Sequence, residues 1–95
     1  MTVYILAQID VREPKIYAEY ANQVPSLVVK HGGTFIIRGG DHETLEGAKP
    51  RQRIVLISFP SRSAARAFYD DDDYQAIAAI RRRASDGGLI LIEGV

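Results

Sequence analysis

Arg38 is the residue of this sequence whose type and position most clearly suggest chemistry. It ends an apolar segment and precedes two glycines, which leave room for a backbone or a ligand to approach closely. A guanidinium at such a point is able to hold a carboxylate or an enolate oxygen through paired hydrogen bonds. The alternative is a structural ion pair with Asp41 or Glu46 in the segment that follows. The sequence leaves both interpretations of Arg38 open.

His31 is a second candidate, because an imidazole titrates near neutral pH and is able to act as a general base. It lies at the predicted end of the first helix, directly before two glycines. An imidazole at that place also interacts favourably with the free carbonyl groups and with the helix dipole. We favour this structural interpretation for His31.

Four tyrosines form a third group of candidates. They are Tyr17, Tyr20, Tyr69 and Tyr74. Tyr17 and Tyr20 are three positions apart, so they are neighbours on the surface of a helix. The four rings are able to line a cleft between helices and sheet, where a phenol would position a small aromatic or carbonyl-containing molecule. The alternative, which is the more frequent one for tyrosine, is a core aromatic with a satisfied hydroxyl.

The sequence predicts no metal or cofactor site. Residues 41–43 (Asp, His and Glu) are adjacent in a loop, and neighbouring residues rarely converge on one ion. The four aspartates at 70–73 lack the alternating ligands and the central glycine of a calcium loop. There is also no Gly-x-Ser-x-Gly elbow, phosphate-binding loop or dinucleotide fingerprint. These absences argue against hydrolases, kinases and dehydrogenases.

The composition excludes further sites and partners. Twelve basic and twelve acidic side chains cancel, so the chain has no overall field to attract nucleic acid or an anionic membrane. The three arginines at 81–83 fit the end of a helix, where cations oppose the dipole favourably. The absence of cysteine excludes disulfides and a cysteine nucleophile. With no signal peptide and no apolar stretch near the ~20 residues of a membrane span, we expect a cytoplasmic protein.

Six elements are expected to position these residues. Residues 2–9, 34–38, 53–59 and 89–93 are predicted strands, and residues 42–52 are an excursion or a minor hairpin. The order strand-helix-strand-strand-helix-strand is the ferredoxin-like arrangement, an α+β fold with both helices on one face of an antiparallel sheet. The chain has no repeat or linker, so we expect a single domain over residues 1–95.

Both helices are predicted to be interrupted. The first begins at Pro14 and is expected to kink or split near Gln23, because Pro25 cannot donate a backbone hydrogen bond. The second begins after Ser61, whose hydroxyl is able to cap it. It is interrupted at the aspartates 70–73, resumes to about residue 84 and is closed by the glycines at 87–88.

The strands are apolar on both faces, although two helices would cover only one. In residues 53–59, for example, Ile54 and Leu56 alternate with Val55 and Ile57. A large exposed apolar surface usually marks an interface, and a second copy of the chain is the simplest cover. We therefore predict a homodimer joined through the sheet faces. A monomer by light scattering at micromolar concentration would contradict this.

A series of short motifs runs through nearly the whole chain. They are Pro14 with Tyr17 and Tyr20, Gly32-Gly33, Arg38-Gly39-Gly40, Leu45-Glu46-Gly47, Arg53-Ile54-Val55, Phe59-Pro60-Ser61, Ala64-Ala65, Phe68-Tyr69, Tyr74-Gln75, Arg81 and Glu93-Gly94. In this order and spacing the chain resembles the domain of unknown function family thirteen-thirty of the dimeric α+β barrel superfamily. One departure is local, because the family tends to have Ser-Pro-Glu-Tyr where this chain has three aspartates and Tyr74.

The resemblance implies a ferredoxin-like subunit that dimerises through its sheet, and it implies no particular activity. The superfamily includes cofactor-independent monooxygenases, haem-degrading enzymes, lactone isomerases and ligand-binding proteins, and extending any of these to this chain is an analogy of fold.

Two functions follow as hypotheses. The first is a small dimeric protein that binds a small organic molecule in a cleft of each subunit. We expect this protein to use no cofactor. As an enzyme it would carry out proton transfer or a cofactor-free oxidation or isomerisation, with Arg38 holding the anion and His31 or a tyrosine moving the proton. The second is a non-catalytic dimerisation or ligand-sensing module. An open cavity at Arg38 favours the first, and Arg38 fully engaged by Glu46 without a cavity favours the second.

Overall fold

Four strands rich in Val, Ile and Leu pair into one antiparallel sheet in the computed structural model, which describes residues 1–95. The strands are β1 (Val3–Val11), β2 (Thr34–Arg38), β3 (Arg53–Phe59) and β4 (Ser85–Glu93). Their order across the sheet is β2-β3-β1-β4, so β1 and β3 are central. This is the predicted ferredoxin-like α+β fold, and the predicted bounds of β2 and β3 are confirmed.

Each of the two predicted helices is split in two. The helices are α1 (Pro14–Ala21), α2 (Val24–Lys30), α3 (Arg62–Asp70) and α4 (Asp72–Ala84). Pro25 lies in the first turn of α2, as expected for a residue that cannot continue a helix. Ser61 caps α3 by accepting a hydrogen bond from the amide of Ala64 at 3.1 Å, which confirms the predicted cap. Asp71 caps α4 in the same way.

The end of α4 differs from the prediction. The glycines at 87–88 do not close the helix, which ends at Ala84, and β4 begins at Ser85 and not at Leu89. Gly87 lies inside β4 with φ of +143°, and a side chain there would collide with the carbonyl oxygen of Gln8 on β1. The glycine therefore serves close pairing between two strands and not helix termination.

The longer β4 also extends its partner. β1 continues two residues beyond its predicted end, because Asp10 pairs with Asp86 and Val11 with Ser85. Residues 39–52 form no regular element, and Asp10 holds the end of this loop. Its carboxylate accepts hydrogen bonds from the Arg51 guanidinium at 2.8 Å and from the Gln52 amide at 2.9 Å.

One hydrophobic core of 17 buried residues fills the space between the helices and the sheet. Its largest fully buried side chains include Phe59, Phe68 and Tyr74. None of the four helices is long and apolar enough to cross a membrane.

The other face of the sheet is apolar as well, as the sequence predicted. An apolar row crosses all four strands, because Leu6 pairs with Leu56 and Ile90 while Leu56 also pairs with Ile37. No helix lies on this face, and Ile90 is 55% exposed.

Candidate functional site

A cavity opens between the helices and the inner face of the sheet. It has a volume of about 40 Å³, which exceeds the ~10–15 Å³ needed to hold one water molecule. Sixteen residues line it and thirteen of them are hydrophobic. The other three are Arg38, Arg53 and Arg81. A mostly apolar lining with a few polar groups is typical of small-molecule sites, and the enclosed volume is well below the roughly 300–1,000 Å³ of such sites.

Arg38 is at the mouth of this cavity, as the last residue of β2. Its Nη2 donates to the carbonyl oxygen of Ala21 at the end of α1 at 3.1 Å. Its guanidinium also lies 4.7 Å from the centre of the Phe35 ring. The ion pair with Asp41 or Glu46 that the sequence left open is not formed.

Arg53 begins β3 and points inward, on the same side of the strand as Val55. Its guanidinium lies 5.7 Å from the centre of the Tyr17 ring. Its Nε is buried and has no hydrogen-bond partner. The glycine after Arg38 has a role here, because Gly39 has φ of +71° and a side chain on it would collide with the Arg53 guanidinium. The close approach that the glycine permits is therefore that of Arg53.

Arg81 projects from the buried side of α4 and is 8% exposed. Its Nη1 donates to the hydroxyl of Tyr74 at 2.8 Å, and its guanidinium lies 5.6 Å from the centre of the Tyr20 ring. The hydroxyls of Tyr20 and Tyr74 are themselves 2.8 Å apart. Burial raises the pKa of Tyr74 well above its usual range, so this phenol stays protonated and acts through hydrogen bonds.

No carboxylate balances the three arginines. The six ion pairs of the chain involve other basic residues, and no Asp, Glu or His lines the cavity. Arg81 is buried, Arg53 is half-buried and Arg38 is exposed. A buried charge is costly unless a partner compensates it, and this applies most to Arg81. The cavity is therefore suited to holding an anionic group by charge-assisted hydrogen bonds. It offers no side chain that is a base at neutral pH, since burial also raises the pKa of Tyr17.

His31 lies away from the cavity, between helices. Its Nε2 is 2.8 Å from Oδ2 of Asp71, and Nζ of Lys30 is 2.8 Å from the same oxygen. The hydrogen bond from Lys30 and that with His31 hold the pKa of the Asp71 carboxyl well below its usual range. Asp71 also caps α4 by accepting from the amide of Asp73 at 2.8 Å. His31 therefore connects the end of α2 to the start of α4.

The structure brings together three of the four candidate tyrosines. Tyr17, Tyr20 and Tyr74 line the cavity with Arg38. Tyr69 lies outside it, in a second groove of about 240 Å³ beside β4, where the Arg66 guanidinium is 5.8 Å from the centre of its ring.

Sequence reasoning missed Arg53 and Arg81 as parts of the site. Both arginines lie on the same side of their element as buried apolar residues. Arg81 is on the side of α4 that carries Ile77 and Ala78, and Arg53 is on the side of β3 that carries Val55. A charged residue on an otherwise apolar, inward-facing side is an exception to the usual burial pattern.

The fold has solved relatives of low sequence identity. A protein of unknown function from Rhodopseudomonas palustris is 18% identical with a TM-score of 0.77, and the match covers 99% of this chain and 82% of that one. A cofactor-independent oxygenase from Streptomyces nogalater is 13% identical with a TM-score of 0.66, over 99% and 93% of the two chains. A dimeric ferredoxin-like protein of unknown function from Thermobifida fusca is 16% identical with a TM-score of 0.56, over 99% and 92%.

At such identities these likenesses concern the fold. Among proteins with curated descriptions, none matches this chain. A family model does match, over residues 2–95, which is almost the whole chain and includes all three arginines of the cavity. The chain belongs to the family described as domain of unknown function DUF1330.

Proposed function

We propose that this protein is a homodimer that binds a small organic molecule in the cavity of each subunit. The observation that carries the proposal is the lining of the cavity, where three arginines without carboxylate partners interrupt an otherwise apolar wall. The hollow between helices and sheet matches the first of the two functions expected from the sequence. Its polar groups are Arg38, Arg53 and Arg81 together with the phenols of Tyr17, Tyr20 and Tyr74.

The chemistry available to an enzyme with this cavity is narrow. Guanidiniums are able to stabilise a developing oxyanion, and phenols are able to donate hydrogen bonds to it. A cofactor-free oxidation or isomerisation of an already acidic molecule fits these groups, and the Streptomyces relative is a cofactor-independent oxygenase. A non-catalytic ligand-sensing module is the second candidate. It is favoured by the lack of a base at the cavity, since His31 is held by Asp71 elsewhere.

Filling the cavity is expected to abolish binding. Ala7 lines the cavity from the central strand β1, so Ala7→Leu would occupy its space. Any compound that stabilises the protein in a thermal-shift screen of small organic molecules should lose at least about nine-tenths of its affinity for this variant, which corresponds to about 1.4 kcal/mol. Isothermal titration calorimetry provides the measurement.

The matched control is Ala79→Leu, because Ala79 is exposed on α4 and does not line the cavity. It should bind as the unaltered protein does. Equal binding by the two variants would place the ligand elsewhere and remove the proposed site.

The dimer part of the proposal rests on the outer face of the sheet. The row formed by Ile37, Leu56, Leu6 and Ile90 crosses all four strands, and Ile92 beside it is 48% exposed. A second copy would bury this row against its own equivalent, because a two-fold interface joins the same surface of both subunits. The Thermobifida relative of the same fold is dimeric.

A charge in this row is expected to separate the subunits. Ile90 is 55% exposed in the single chain, so Ile90→Glu should leave the fold intact while placing two carboxylates opposite each other at the interface. Light scattering at micromolar concentration should give the mass of a dimer for the unaltered protein and that of a monomer for the variant. Val29→Glu is the control, since Val29 is 74% exposed on α2, away from the sheet. A monomeric unaltered protein would contradict the proposed dimer.

A further inference from the structure

Arg53 and Arg81 are less exposed than Arg38 and are called the inner pair of the cavity. Most of their N–H donors have no acceptor within the chain. Arg81 is 8% exposed, and its side chain donates one hydrogen bond, to the neutral hydroxyl of Tyr74. Arg53 has a buried Nε with no partner. A guanidinium carries five N–H donors, so Arg81 has donors that are open to solvent or to a ligand. Buried polar groups are nearly always satisfied, and Arg53 Nε is the one buried side-chain donor that lacks an acceptor.

The chain does not supply that acceptor. Arg51, two residues before Arg53, is paired with Asp10 on the outside of the molecule. On α3, Arg66 is paired with Asp70. Arg12, Lys30 and Arg62 on the surface also have carboxylate partners, whereas the three arginines at the cavity have none within 4.0 Å. A desolvated charge is retained at a cost unless something compensates it, and a bound anion would do so.

We propose that the molecule held in this cavity is a small organic anion, whose carboxylate or enolate oxygens lie at Arg53 and Arg81 and whose flat apolar body lies against the aromatic wall. This inference rests on the proposed function and narrows it to one class of ligand. The two guanidiniums lie over neighbouring rings, Arg53 over Tyr17 and Arg81 over Tyr20, and those two rings are 5.5 Å apart. They therefore approach the cavity from the same wall.

The enclosed volume of about 40 Å³ is smaller than the roughly 150 Å³ of a cavity that holds benzene, so the body of the ligand would extend through the mouth and widen it. The nature of this body follows from the rest of the lining. The rings of Tyr17, Tyr20 and Phe35 reach the cavity, and aromatic side chains prefer to pack against flat unsaturated groups. Arg38 at the mouth is already bonded to Ala21, so we assign the anionic group to the inner pair and leave Arg38 to close the entrance. An inorganic anion would satisfy the guanidiniums and leave the apolar wall without a partner.

Matched probes of different charge test this inference. Benzoate and salicylate are to be compared with benzamide, salicylamide and benzylamine, and with inorganic phosphate, by isothermal titration calorimetry at neutral pH and low salt. The two acids should bind about tenfold more tightly than their amides, since a charge-assisted hydrogen bond is worth about one such factor. Arg53→Gln should remove most of this preference, and Arg62→Gln should leave it unchanged, because Arg62 is 63% exposed and paired with Glu93.

The outcomes separate this inference from the function on which it rests. Amides that bind as tightly as the acids, or an acid preference that Arg53→Gln leaves intact, would overturn the anion while the small-molecule site stands. Phosphate that binds as tightly as benzoate would overturn the organic body. A cavity that takes none of the probes at millimolar concentration would overturn both. The comparison of acids with amides uses the unaltered protein, so it decides the matter even if Arg53→Gln folds poorly.

Discussion

Arg81→Met is expected to raise the free energy of unfolding of the ligand-free protein by about 1 kcal/mol and to weaken binding of an organic acid about tenfold. The free energy of unfolding is expected to rise because Arg81 is 8% exposed and has no carboxylate partner. Methionine fills a similar length with an unbranched apolar side chain and removes the cost of desolvating the charge. The hydroxyl of Tyr74 stays satisfied, because it retains its hydrogen bond with Tyr20 at 2.8 Å.

Urea unfolding measures the change in stability, and calorimetric titration measures the change in binding. Both are done at one protein concentration, because the stability of a homodimer depends on its concentration. Arg82→Met is the control. Arg82 is exposed on the same helix and donates to Gln75 at 3.2 Å, so its replacement should change stability by less than about 0.5 kcal/mol. If Arg81→Met instead lowers stability by about 2 kcal/mol or more, the guanidinium is part of the structural core, and the argument for a missing anion fails.

A gain in stability together with a loss of binding would be typical of a functional site. Binding sites often keep groups that the folded chain alone would be more stable without. In this cavity two groups lower the stability of the ligand-free chain. They are Arg53, whose Nε has no partner, and Arg81. Both lie where the fold would otherwise place an apolar residue, facing Tyr17 and Tyr20.

The sequence predicted the elements well because local signals specify them. Pro14, Pro25 and Ser61 mark three helix starts through the geometry of their own backbone and side chains. It predicted the junction of α4 and β4 wrongly, because a glycine pair is a local signal for helix termination. Gly87 is instead required by a non-local contact, because the backbone of Gln8, on a strand distant in the sequence, passes close to it.

Only the part of the candidate site that local signals mark was predicted from the sequence. Arg38 stood out by its position between an apolar strand and two glycines, which is visible locally. Arg81 did not, because a run of three arginines at a helix end has an adequate local explanation in the helix dipole. Only the packing shows that the first of the three is buried at 8% exposure, while Arg82 and Arg83 face solvent. The absence of a partner for a charge is likewise a property of the folded chain.

The hydroxyl of Tyr74 is the centre of the buried polar network, and Tyr74→Phe is expected to lower the free energy of unfolding by about 2 kcal/mol. The ring is fully buried at 0% exposure, and it packs 4.5 Å from the centre of the Phe68 ring, so phenylalanine keeps this packing. The change removes only the oxygen that accepts from Arg81 at 2.8 Å and pairs with Tyr20 at 2.8 Å. Tyr69→Phe is the control, since the Tyr69 hydroxyl makes no hydrogen bond within the chain.

The cause of that loss is testable by combining Tyr74→Phe with Arg81→Met. If most of the cost comes from leaving the Arg81 guanidinium buried without a partner, the same substitution should cost only about 1 kcal/mol in the Arg81→Met background, a coupling of about 1 kcal/mol. Equal costs in the two backgrounds would mean that water or a bound anion already satisfies Arg81 when Tyr74 loses its hydroxyl. Where the coupling is present, repeating the cycle with saturating salicylate should reduce it, because an anion at Arg81 would replace the acceptor that Tyr74 loses. The size of the coupling thus measures how much of the compensation for the buried Arg81 charge comes from Tyr74 and how much comes from a ligand.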